Sequence, residues 1–200
     1  MKTFGRITCS ILALSAVIML VACSSGEFSH KKLVSFCKRH DCAKCDEPED
    51  YFKAASYLIR KDEEAGYYVT CTEDEAEFLY DRVINHFNEF RSYDITEATV
   101  FIYRRSDSFS RGYLITLEDA DDASEFFEEY SGEYCKDGEK GINKDYSYSV
   151  CHKDLDRGRA VKTGVYLKGN SVLILSAANR NFDIADDFCK TFRVILPDGE

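Results

Sequence analysis

Proline is nearly absent from this chain: Pro48 and Pro197 are the only two in 200 residues. With aromatic side chains at 14% of the sequence, that excludes a disordered body, because disordered segments are rich in proline and poor in bulky apolar groups. Basic charge is also short. Lys and Arg number 26 against 36 Asp and Glu, a formal net charge of −10. A chain this acidic repels nucleic acid and anionic lipid, and nucleic acid is not an expected partner. The signature motifs of several enzyme classes are missing: no G-x-S-x-G elbow, no phosphate-cradling glycine loop, no H-E-x-x-H. The four histidines, His30, His40, His86 and His152, fall in no triad spacing. Cys151 and His152 are neighbours on a predicted strand, so they point to opposite faces and make a poor nucleophile–base dyad. Asp154 to Gly158 has its glycine one place early for a calcium loop and lacks the later ligands. No metal or cofactor is expected. The mostly apolar run Ile7–Leu20 is fourteen residues long, short of the roughly 20 that span a bilayer.

That run is nonetheless informative. Lys2 and Arg6 precede it, and Leu20-Val21-Ala22-Cys23 follows, then Ser24, Ser25 and Gly26. The arrangement resembles the lipobox of bacterial prolipoproteins. It implies removal of residues 1–22 and a diacylglyceryl group on the thiol of Cys23. Small residues before Cys23 admit a peptidase to an extended backbone, and multiple acyl chains anchor a protein stably where one does not. Cys9 lies in the segment to be removed. The mature chain would lose Lys2 and Arg6, leaving 24 basic and 36 acidic residues, a net charge of −12. Its expected place is the extracytoplasmic side of the cell membrane. A short tether over 23–29 would lead into one domain over 30–200, long enough for its own core.

Three segments repeat a pattern of strand, polar turn, strand, acidic segment, helix. They begin at Ser56, Ala98 and Gly164. The helices carry apolar faces: Ala76, Leu79, Val83, Ile84 and Phe87; Ala123, Phe126, Phe127 and Tyr130; Ile184, Ala185, Phe188 and Phe192. Thr72 and Glu75 have the spacing of a capping box. Val172-Leu173-Ile174-Leu175 does not alternate and predicts a central strand buried on both faces. Residues 145–152 alternate and add another strand, and Leu33, Phe36 and Cys37 mark a helix over 30–39. The segment after Pro48 is open between a helical turn and a lead-in. The fold class is α+β, about three ββα units in a mainly antiparallel sheet with helices packed on it. Parallel second strands would gather the acidic helix starts at one edge. These are Glu73, Asp74 and Glu75; Glu118, Asp119, Asp121 and Asp122; and Asp183, Asp186 and Asp187.

The "F-C" helix, "GYYVT", "YLITLEDADDASEFF", "VYLKGNSVLIL" and "DDFCKTFRVILP" together resemble a group of uncharacterised lipoproteins and secreted proteins of anaerobic Gram-positive bacteria. The resemblance spans most of the mature chain. It implies a fold pattern and a location, and no activity.

Cysteine is plentiful. Besides Cys9 and Cys23 there are seven: Cys37, Cys42, Cys45, Cys71, Cys135, Cys151 and Cys189. "FCKRHDCAKC" at 36–45 admits a zinc site, a C-x-x-C redox couple or part of a disulfide framework. His40 and Cys42 are too close to wrap a metal well, and a redox pair normally opens a helix after a strand. An exported compartment favours disulfides. The expected bridges are Cys37–Cys189, on matching apolar helix faces, and Cys135–Cys151, with Cys42, Cys45 and Cys71 sharing a third. The leading functional expectation is a non-enzymatic, membrane-anchored binding or scaffolding domain whose partner is a surface protein, peptide or glycan. The alternatives are a thiol–disulfide oxidoreductase using Cys42 and Cys45, and a binder of a small solute or cation.

Overall fold

The computed structural model describes residues 26–60, 63–85, 90–155 and 158–197. Cys9, Cys23, His86, Phe87, Asp156 and the rest of the leader therefore lie outside the described residues. The described chain forms one eight-stranded sheet and five α-helices. In chain order these are α1 (His30–Arg39), β1 (Ala43–Lys44), α2 (Pro48–Arg60), β2 (Ala65–Thr72), α3 (Asp74–Val83), β3 (Ile95–Arg105) and β4 (Ser108–Leu117). Then follow α4 (Ala120–Tyr134), β5 (Glu139–Asn143), β6 (Tyr146–Leu155), β7 (Arg159–Lys168), β8 (Ser171–Ala178), a 3-10 turn at Asn179–Asn181, and α5 (Phe182–Phe192). The strand order is β1-β2-β3-β4-β8-β7-β6-β5. Only the β1–β2 pairing is parallel, so the α+β, mainly antiparallel expectation holds.

Side chains alternate across the pleat, so the sheet divides the interior in two. On one face Val69, Cys71, Val100, Ile102, Ile115, Val172 and Ile174 pack under α2, α3 and α4. On the other, Tyr68, Phe101, Leu114, Tyr166, Leu173 and Leu175 pack under α1 and α5. β8 lies between β4 and β7, and Val172 through Leu175 are fully buried. The absence of alternation in that run therefore reports two covered faces.

The second and third of the three expected units are present, as β3-β4-α4 and β7-β8-α5. The first is not. Residues 56–60, expected as a strand, are the last turns of α2. Pro48 opens that helix, where its missing N–H costs nothing, and Glu49 and Asp50 favour the helix N-terminus. The helical period puts Tyr51 and Leu58 inside while Tyr57 and Ile59 stay exposed. The capping box is also absent. Glu73, with φ 54°, precedes α3 and makes no side-chain cap, whereas Asp119 caps α4 by accepting from the Asp122 N–H at 2.8 Å.

The acidic rim is split. β2 and β4 are parallel, but β8 is antiparallel to β4, so α5 starts at the opposite end of the sheet and on the opposite face. Several of these carboxylates already have cationic partners. Asp122 pairs with Arg91, Asp183 with Arg105 at 2.9 Å, and Asp187 with Arg39 at 2.9 Å.

The core closes without the expected disulfide staple. No disulfide joins the seven described cysteines, and all seven are buried. Phe28, read as tether, is already part of the α1/α5 core and donates its N–H to Ser171 Oγ at 2.9 Å.

Phe101 ties that core together. Its ring centroid is 5.4 Å from that of Phe36 on α1 and 6.1 Å from that of Phe188 on α5. It can lie flat there because its cross-strand partner is Gly112: a Cβ at that position would stand 2.1 Å from the Phe101 ring. Gly112→Ala must displace the ring from both helices and should cost about 1–3 kcal/mol in urea denaturation. Phe101→Leu should be strongly non-additive with it, because the smaller side chain removes the clash.

Candidate functional site

α4 lies across β4, β8 and β7. Beyond its C-terminal end the same sheet face is uncovered, and there a trough of about 460 Å³ opens. Strand register builds its floor in rows. Arg111 stands opposite Ser176 and Ser176 opposite Thr163. In the next row Phe109 lies beside Ala178, which stands opposite Val161. Leu155 and Arg159 face each other where β6 turns into β7. Asp107, from the β3–β4 turn, and Arg180, from the 3-10 turn, close the remaining side, with Arg180 Nε 3.4 Å from the Asp107 carboxylate. Asn179 holds the wall by donating to the Gly158 carbonyl at 2.9 Å.

The lining is cationic on an acidic molecule. Among the described residues the lining holds Arg111, Arg159 and Arg180 and one carboxylate, Asp107. Lys153 extends the same row as Val161, and the Arg104 guanidinium lies 5.2 Å from the Phe109 ring centroid while donating to the Leu58 carbonyl at 2.7 Å. Burial pushes the Tyr113 hydroxyl up, and Arg111 beside it pulls the other way. Leu155 keeps 46% of its surface exposed at the rim. Chemically, the trough offers an apolar floor with guanidinium donors around it, suited to holding an anionic, partly apolar ligand.

Leu155 and Gly158 drew notice only within the discarded calcium-loop stretch, and the lining arginines drew none, because the charge was weighed over the whole chain. A signal was present: Phe109, Arg111, Tyr113, Ile115 and Leu117 share one face of β4, and Arg111 is the charged member of an apolar series.

The sequence-predicted residues sit elsewhere. His40 donates from Nε2 to Asp187 Oδ2 at 3.0 Å, and so serves a contact between α1 and α5. Burial raises the Asp187 carboxyl, but His40 and Arg39 outweigh it and hold it below the ordinary carboxylate value. Among the described residues no group of three or more His, Cys, Asp or Glu is placed to hold a metal. Cys42 belongs to the α1/α5 core and Cys45 to the α2–α4 core, both buried, so the C-x-x-C is divided by the sheet. That removes the physical basis of the oxidoreductase alternative, which needs two adjacent, accessible sulfurs. Cys37 lies beside Cys42, and burial first and Cys42 second push its thiol far up. Cys189 contacts the Tyr166 hydroxyl at 3.7 Å. Cys71 is in the α2–α4 core with Cys45. Cys135 and Cys151 do meet, their sulfurs 3.3 Å apart, where Cys151 stands opposite Thr163. The hydrogen bond between the two sulfurs pulls Cys151 down to about 7, burial opposing and Lys153 assisting. The tyrosines Tyr68, Tyr146 and Tyr148 are buried core members and form no exposed stripe.

Neither a family model nor a curated protein matches the chain. The extracellular domain of PknH from Mycobacterium tuberculosis superposes with a TM-score of 0.39 at 10% sequence identity, over 70% of this chain and 90% of that one. A likeness of that degree establishes neither a shared fold nor a shared role.

His30, placed by sequence beside the tether, is buried at the head of α1. Its Nδ1 is 2.8 Å from Thr99 Oγ1 and its Nε2 3.0 Å from Thr116 Oγ1, and Thr99 in turn bonds Thr70 at 2.9 Å. A neutral imidazole satisfies both hydroxyls, donating through one nitrogen and accepting through the other. Burial lowers its pKa from 6.5 to about 4, even with the half-exposed Glu97 carboxylate 3.6 Å away. The unfolded chain therefore binds this proton more readily. Stability is full above pH 6.5 and falls as pH drops through 4, by up to about 3 kcal/mol from this group. His30→Asn should flatten that part of the pH–stability profile between pH 6.5 and 4, measured by urea denaturation, relative to the unsubstituted chain.

Proposed function

We propose that the chain is a lipid-anchored, extracytoplasmic domain that works by binding, with the arginine-lined trough as its contact surface. The observation that carries this reading is the trough itself: an uncovered stretch of a sheet whose central strands are elsewhere covered on both faces, with apolar side chains left at the solvent and cations among the described residues around them. A sheet patch with no structural duty toward a helix is free to meet a partner. The lipobox around Cys23 supports the anchored placement. No helix among the described residues is long and apolar enough to cross a membrane, so acylation of Cys23 would supply the attachment. The two parts are tested together on intact cells. Cys23→Ala should leave an uncleaved precursor or release the protein from the membrane fraction; a mature-sized product that still sediments with membranes overturns the anchor. A photo-reactive residue at Val161 should capture a discrete species that the same residue at Lys140 does not. Equal capture from both positions overturns the trough as the contact surface.

An extracytoplasmic setting also bears on Cys135 and Cys151. Closing their sulfurs from 3.3 Å to a bonding distance of about 2.05 Å needs a small side-chain movement. Two thiols would release two protons and pass two electrons to an oxidant, oxidised glutathione in the laboratory case, forming one S–S bond. The sulfurs are 16 residues apart in sequence, so the bridge should stabilise the fold by about 3 kcal/mol. A non-reducing peptide map should pair the peptides carrying Cys135 and Cys151, and the melting temperature should fall on reduction. Recovery of both as free thiols after oxidation would refute the bridge.

A further inference from the structure

We infer that the occupant of the trough is an extended, carboxylate-rich peptide segment with apolar side chains between its acidic ones. The inference rests on the proposed binding role and specifies the ligand class. Three features carry it.

The first is charge. On a molecule of net charge −10, the described lining of this single concavity carries three guanidinium groups and one carboxylate. Long-range repulsion would keep highly charged polyanions away, so the ligand must gain most of its binding locally. Arginine is the side chain best matched to carboxylates, which it grips with two parallel N–H donors.

The second is spacing. Arg111 and Arg159 lie on strands separated by β8, and the register places them on rows either side of Phe109, Ala178 and Val161. Two strand spacings across and four residues along put their backbones roughly 16 Å apart. Forks standing upright from the sheet at that spacing match carboxylates spaced along an extended chain.

The third is the floor. Between the cations lie Phe109, Val161 and the exposed Leu155. An alternating peptide presents carboxylates to one side and apolar groups to the other at the same period as the sheet beneath it. A sugar-phosphate or polyphosphate chain has nothing to place on those apolar groups.

The test uses the full chain in uncharged detergent and three probes: an end-capped six-residue peptide alternating glutamate and leucine, its glutamine–leucine counterpart, and linear polyphosphate. Binding is followed by amide chemical shifts. The glutamate peptide should shift resonances of the trough rows and bind about tenfold tighter than the glutamine peptide. Arg159→Gln with Arg180→Gln should remove that preference, while Lys162→Gln, on the other face of β7, should leave it intact. Shifts in the trough that are equal for both peptides overturn the anionic class and leave the binding surface standing. Tighter binding by polyphosphate assigns the trough to a polyanion and overturns the peptide. No probe shifting the trough at millimolar concentration overturns the ligand class, and shifts confined to another surface overturn the trough as well.

Discussion

The arrangement of this molecule follows from a sheet whose central strands are apolar on both faces. Val172, Leu173, Ile174 and Leu175 alternate between two cores, and neither half of that set can be left in water. Burying four such side chains is worth on the order of 1.5–3 kcal/mol each, which only two helical layers can provide. α2, α3 and α4 cover one side and α1 and α5 the other. Phe101 over Gly112 and the His40–Asp187 contact then fix how α1 and α5 meet. The trough is the place where this double coverage stops.

Much of the architecture was legible in the sequence, and the failures have physical causes. α1, β8 and the ββα units at β3-β4-α4 and β7-β8-α5 could be read because hydrophobic period and length agreed. Residues 56–60 misled because Tyr57, Leu58 and Ile59 have strand-like composition, and only the helix opened by Pro48 reveals their true period. The acidic helix starts were read correctly as helix starts and wrongly as neighbours. Strand direction relative to a distant strand is set by the whole topology, here the insertion of β8 beside β4. The part His30 plays could not be read because nothing local announces Thr99 on β3 and Thr116 on β4 meeting its ring, with Thr70 on β2 behind Thr99.

The site was less legible than the fold. Net charge averages over a surface, and an average of −10 conceals a local reversal. Arg111, Arg159 and Arg180 come from two strands and a turn that meet only through register. The cysteine cluster drew attention because its residues are close in sequence. Folding keeps Cys37 beside Cys42 but sends Cys45 to the other side of the sheet, and Cys135 with Cys151, far less conspicuous, are sulfurs that the fold brings to 3.3 Å.

The separation of the two cores has an arithmetical consequence for the thiols. Cys37, Cys42 and Cys189 lie on one side of the sheet, and Cys45, Cys71, Cys135 and Cys151 on the other. A bridge cannot pass through eight hydrogen-bonded strands, so in the folded chain pairing is confined to each side. Three is odd and four is even. Bridges among these seven sulfurs must therefore leave at least one of Cys37, Cys42 and Cys189 outside any disulfide, whereas Cys45, Cys71, Cys135 and Cys151 can pair completely.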